Sequence, residues 1–208
     1  MLVVKFGGSS VGTAERILAA ARIVAEHQQQ TQVVAVISAM AGVTDALIQV
    51  ANAALEGYHS WRDDLAKIEQ RHRQAYVQIL GHVPEQFSRA WSSVEASALA
   101  LTERAHPPEN AAQQIRRFSG WGERLIVDLF AAGLGKEGVQ AERFTREPVL
   151  LASRSDEAEP SILATRAWLL PQLAGALARH LVPVLPGYIA LDAAGEPTTL
   201  GRNGSDHS

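Results

Sequence analysis

Apolar residues fill most of positions 2–6 (LVVKF), and the run stops at a Gly-Gly pair. Residues 13–27 then bring Ile17, Leu18, Ala21, Val24 and Ala25 onto one side at intervals of three and four. That spacing predicts an amphipathic helix. Residues 32–38 (QVVAVIS) form a second β-branched run, short enough for a strand buried on both faces. A loop at 40–45 leads to a helix over 46–55. The order strand–helix–strand–helix predicts a mainly parallel sheet covered by helices on both faces, a three-layer αβα sandwich.

The pattern changes between about 58 and 107, where Ala, Glu, Gln, Arg and Leu dominate and no strand-like run occurs. This stretch predicts a long helical insertion of two helices, divided near GHVPEQ (81–86) and closed by Pro107 and Pro108. A further helix is expected from about 110 to 132, ended by Gly133, Gly135 and Gly138. A strand at 139–144, a helix over 160–180 bent at Pro171, an apolar strand at 182–190, a turn at 192–196 (DAAGE) and a short strand at 198–200 complete the reading. The charged run RDDLAKIEQRHRQ (62–74) reads as a solvated helix face, and Trp61, Trp91, Trp121 and Trp168 as packing residues.

Composition narrows the function. Hydrophobic residues make up 47% of 208 residues, enough for a sizeable core, and the net charge of -3 gives no bulk attraction to nucleic acid or an anionic membrane. The absence of cysteine excludes disulfides, thiolate metal sites and cysteine nucleophiles. The seven histidines show no pair at metal-ligand spacing, so no metal site is expected. No leader-like start is visible, and the most apolar stretch, 168–191, is broken by Pro171, Pro183 and Pro186, so a soluble cytoplasmic protein is expected.

Several short motifs carry candidate chemistry. In KFGGSS (5–10) a strand passes through glycines towards a helix N-terminus, where unpaired N–H groups and a partial positive charge favour an anion. Gly7 and Gly8 would let backbone approach a phosphate, Lys5 adds a full charge, and Ser9 adds a hydroxyl donor. Taken alone, the stretch reads equally as a tight turn with a snorkelling lysine. It is not a Walker A loop, since Thr13-Ala14 follows Gly12 where Lys-Ser/Thr is required. GLGKEG (133–138) matches a dinucleotide fingerprint only in letters; a helix precedes it and a strand follows, the reverse of the required order. SAMAGVTD (38–45) puts Ser38 and Thr44 at the carboxyl end of a parallel strand, where open α/β sheets bind ligands; Thr44 is also a natural helix N-cap. In SGWGERL (119–125), Gly120 and Gly122 each cost a helix about 1 kcal/mol, which suggests close approach by another backbone or a ligand. Glu123 beside them is either an exposed surface residue or a carboxylate facing a ligand's ammonium group. GRNGSD (201–206) combines an arginine fork with an amide, a hydroxyl and a carboxylate, and by itself reads as a polar turn.

Together, in order and spacing, KFGGSSV, SAMAGVTD, the Gly-Glu of GWGERL and TTLGRNGSDHS resemble the aspartate kinase branch of the amino acid kinase family, over the whole chain. The asparagine in GRNGSD is most like the bifunctional aspartokinase–homoserine dehydrogenases. The resemblance implies transfer of the ATP γ-phosphoryl group to the side-chain carboxylate of L-aspartate, with Mg²⁺ arriving on ATP, in the route to lysine, threonine and methionine. It implies Lys5 and Asp206 as catalytic, Lys5, Gly7, Gly8 and Ser9 at the nucleotide, and Ser38, Thr44, Glu123, Arg202, Gly204 and Ser205 at the substrate. Arg202 would hold the α-carboxylate and Glu123 the α-ammonium. In that family the kinase domain continues beyond GRNGSD and supplies much of the nucleotide pocket. The chain is therefore read as the N-terminal portion of a catalytic domain, a piece expected to be inactive alone. NAD(P) would belong only to a dehydrogenase domain outside this sequence, and a homo-oligomer is expected of the full-length protein. The alternatives are a catalytically incomplete substrate-binding fragment, or another enzyme of the same fold acting on a different carboxylate.

Overall fold

The computed structural model describes residues 1–103, 108–145, 150–151, 161–187, 189–191 and 197–199. The first strand, β1 (Leu2–Phe6), leads into a 3-10 turn at Gly8–Val11 and helix α1 (Ala14–Gln28), which is followed by β2 (Val33–Ile37) and α2 (Val43–Leu55). Two long helices come next, α3 (Trp61–Leu80) and α4 (Glu85–Glu103), then α5 (Pro108–Ser119) and α6 (Trp121–Lys136). The rest comprises β3 (Ala141–Arg143), β4 (Leu150–Leu151), α7 (Ile162–Ala178), β5 (Val182–Pro186), β6 (Ile189–Leu191) and β7 (Pro197–Thr199).

Four parallel strands form the larger sheet in the order β1-β2-β5-β3. Every residue of β2 is buried, and its alternation sorts the core. Val33, Ala35 and Ile37 face the main core with Val182 and Val184, against buried residues of α1, α2 and α6 and of the α3–α4 hairpin. Val34, Val36 and Leu185 face the other way, onto Leu169, Leu173 and Leu177 of α7. Helices on both faces make the three layers expected. A smaller sheet, β4-β6-β7, stands apart.

Four boundaries differ from the sequence reading, each for a local reason. Helix α2 begins at Val43, so Thr44 lies inside the first turn; the N-cap is Gly42 at φ 78, a left-handed conformation that glycine adopts without strain. The helix expected over 110–132 is two, interrupted at Gly120, where an added Cβ would meet the Arg117 carbonyl at 3.3 Å and Ile189 at 3.6 Å. Helix α6 runs through Gly133, because that glycine lets Ile17 of α1 approach to 3.1 Å of its Cβ position. The helix stops instead at Gly138 (φ 75), where Val139 N–H bonds to Leu134 C=O and Gly138 N–H to Gly135 C=O, a Schellman closure. Lastly, the apolar run 182–190 is two strands in different sheets. Residue 186 is a proline without an N–H to extend the ladder, and Gly187 N–H turns to Ile37 C=O. Pro171 lies within α7, and the turn expected at 192–196 lies outside the described residues.

Candidate functional site

The carboxyl ends of β1, β2 and β5 lie side by side, and the backbone beyond each is tied to its neighbour. Ser38 N–H donates to Phe6 C=O at 3.0 Å, Ala41 N–H to Gly8 C=O at 3.2 Å, and Gly187 N–H to Ile37 C=O at 3.1 Å. The loops after β1 and β2 thus form one unit.

Lys5 is half-buried and lies opposite Val36 of β2. Gly7 is extended (φ -73, ψ 165) and faces open space, with nothing within 4 Å of its Cβ position. Gly8 differs: a Cβ there would lie 2.8 Å from the Ala39 carbonyl oxygen. Loop packing by itself therefore requires a residue without a side chain there. The first helical N-terminus after β1 is the 3-10 turn, where Ser10 N–H donates to Gly7 C=O; α1 begins six residues later, capped by Thr13. Ser9 is exposed, and its carbonyl accepts from Arg16 Nη1 at 2.6 Å.

Glu123 sits in the first turn of α6 and is only 3% exposed, which removes its reading as a surface residue. Gly187 N–H donates to its Oε2 at 3.3 Å. Burial raises its carboxyl to about 7; the backbone N–H groups of Ala39 and Gly187 and the charge of Lys5 pull the other way without overcoming it. Gly122 explains how the carboxylate enters. A Cβ there would lie 3.0 Å from the Ala39 Cβ and 3.2 Å from Val43, so glycine lets α6 press against the loop after β2. The close approach foreseen at this glycine is thus made by side chains.

Ser38 is buried beside this carboxylate's partner Ala39, and Thr44 is half-buried one turn into the same segment. Arg202, Gly204, Ser205 and Asp206 lie outside the described residues. Sequence reasoning missed Arg71. From α3 it donates through Nη1 to Ala41 C=O at 2.7 Å and through Nη2 to Gly12 C=O at 2.9 Å. Its neighbour His72, fully buried, belongs to the run read as a solvated face; only part of that run is solvated. The signal was present in Leu65, Ile68 and His72, whose helical spacing marks a buried stripe with Arg71 at its rim.

Among the described residues no group of acidic or histidine side chains is arranged to hold a metal ion, and no helix is long and apolar enough to cross a membrane. A parallel sheet between two helical layers, with a lysine on β1 and a carboxylate from α6 buried against the loops after β2 and β5, defines a class, and the family profile of the amino acid kinases matches residues 1–208. The chain belongs to the amino acid kinase family. Relatives within that family include aspartokinases. It is 27% identical over 208 residues to the chloroplastic bifunctional aspartokinase/homoserine dehydrogenase 1 of Arabidopsis thaliana, covering 98% of this chain and 22% of that protein. It superposes on E. coli aspartokinase III in complex with lysine and aspartate with a TM-score of 0.80 at 29% identity, covering 100% of this chain and 45% of the other. For the same enzyme in complex with aspartate and ADP the TM-score is 0.71 at 30% identity, covering 99% and 44%. The chain thus spans less than half the length of these relatives.

Proposed function

We propose that the protein containing this chain is an aspartate kinase, transferring the γ-phosphoryl group of Mg-ATP to the side-chain carboxylate of L-aspartate in the route to lysine, threonine and methionine. The observation that carries this reading is Glu123, a carboxylate buried where three parallel strands end. Burying an anion is costly without a partner, and an amino acid's α-ammonium is such a partner. The E. coli enzyme that this chain superposes on was solved with aspartate and, separately, with aspartate and ADP.

Each residue then has a physical task. A carboxylate nucleophile needs no general base, so catalysis is mostly positioning and charge stabilisation. Lys5 neutralises the transferring phosphoryl group, with Gly7, Gly8 and Ser9 at its oxygens. Ser38, Thr44, Gly204 and Ser205 line the amino acid, Arg202 grips its α-carboxylate and Asp206 orients Lys5 and substrate. Mg²⁺ is part of the nucleotide substrate. The reading extends to a cytoplasmic homo-oligomer whose nucleotide pocket is completed by sequence outside this chain; NAD(P) has no place at this site.

A coupled ADP-release assay on the full-length protein tests it. L-aspartate with Mg-ATP should give turnover of about 1–100 per second. Lys5→Met should lower turnover roughly a hundred- to thousandfold, about 2.7–4 kcal/mol of transition-state stabilisation. Turnover with another carboxylate but not aspartate would reassign the substrate, and a fully active Lys5→Met variant would remove Lys5 from the chemistry.

A further inference from the structure

The carbonyls of Gly12 and Ala41 share an unusual situation. Gly12 ends the turn after β1, and Ala41 immediately precedes the left-handed Gly42 that opens α2. Among the described residues, no backbone N–H donates to either oxygen. Both are taken by one side chain, Arg71, which comes from neither loop but from the α3–α4 hairpin. The guanidinium has no ion-pair partner among the described residues, so these two bonds account for its placement.

We propose that Arg71 is a positioning residue: its planar fork holds the glycine turn after β1 and the loop after β2 at one fixed spacing. This rests on the aspartate kinase reading, in which the first loop carries the phosphoryl donor and the second lines the acceptor. The distance between donor and acceptor is then a distance between loops. Misplacement by about 1 Å can cost about a hundredfold in rate. The fork suits the task because its donors sit in fixed geometry on separate nitrogens, whereas a lysine offers a single nitrogen. The helical hairpin, remote from the strand ends in sequence, thereby acts on the site through one side chain.

Such a brace has a kinetic signature distinct from that of a binding residue. Each substrate is held by its own loop, so loosening the spacing should spare both affinities and lower the chemical step. In the full-length protein, Arg71→Met is expected to reduce kcat ten- to a hundredfold, with KM for ATP and for L-aspartate each within about threefold of wild type. Arg71→Lys should recover little, and millimolar guanidinium added to Arg71→Ala should restore part of the rate. Hydrogen exchange should quicken together at amides 8–13 and 41–45 in Arg71→Met, while the core of α6 is unchanged. Unchanged kcat, loss of rate only in proportion to loss of folded protein, or faster exchange in one loop alone would overturn the proposal. Should the wild type fail to phosphorylate aspartate, the functional reading falls, and the exchange measurement still decides whether Arg71 couples the loops.

Discussion

In the proposed function, Glu123 ties protonation to ligand charge. Its carboxyl is held near 7 by burial, so ligand-free protein at neutral pH contains both forms. Only the ionised form attracts an ammonium group. If it binds the α-ammonium of aspartate, apparent affinity should rise with pH through 7, by about tenfold between pH 6 and pH 8 for a single group titrating there. Calorimetric titration of aspartate across that range checks the slope, and Glu123→Gln should bind weakly and without it. A slope that survives in Glu123→Gln would assign the proton to another residue.

At the scale of elements, the two glycines after β1 differ in the room each leaves for a side chain. Gly7 has room for a methyl group and a backbone any residue can adopt, so Gly7→Ala should leave stability within about 0.5 kcal/mol. A loss of activity in that variant would therefore report on a ligand. Gly8→Ala would press a methyl group onto a backbone oxygen 2.8 Å away and should cost about 1–3 kcal/mol, read as a lower denaturation midpoint. What was legible beforehand follows from what sequence encodes locally. Short β-branched runs marked Leu2–Phe6 and Val33–Ile37 directly, and the α3 and α4 pair followed from a helix-forming composition without a strand-like run and the break at 81–86. The placement of Lys5 and Ser38 at the carboxyl ends of parallel strands followed from strand order. Tertiary approach was not encoded locally: Gly133 looked like a helix end because nothing nearby announces Ile17, and Arg71 looked solvated because its two acceptors lie 30 and 59 residues away. The run 182–190 looked like one strand because both halves are buried, in different sheets.

For the whole molecule, two buried titratable groups set opposing responses to acid. Burial raises Glu123 to about 7, so its ionisation weakens the ligand-free fold progressively from about pH 4.5 to 7. His72 is lowered to about 4, also by burial; its neutral ring is stabilising above about pH 6.5, and that contribution is lost as pH falls towards 4. Each shift corresponds to roughly 3 kcal/mol at full extent. Across pH 4.5–6.5 the two trends oppose, and wild-type stability should vary little. Removing either exposes the other. His72→Leu should become more stable as pH drops from 6.5 to 4.5, whereas Glu123→Gln should become less stable, both measured by chemical denaturation in ligand-free protein. Parallel slopes in the two variants would show that other groups govern the response. The strand order β1-β2-β5-β3 also bears on how the chain is made. Strand β5 is the last of the four to emerge from a ribosome, yet it occupies the middle, and β3 has no other partner in that sheet. At about 5–20 residues per second, the residues between β2 and β5 take roughly 7–30 s to synthesise. For that interval one edge of VVAVI, the most β-prone segment of the nascent chain, waits unpaired, with the hazard of joining another such edge.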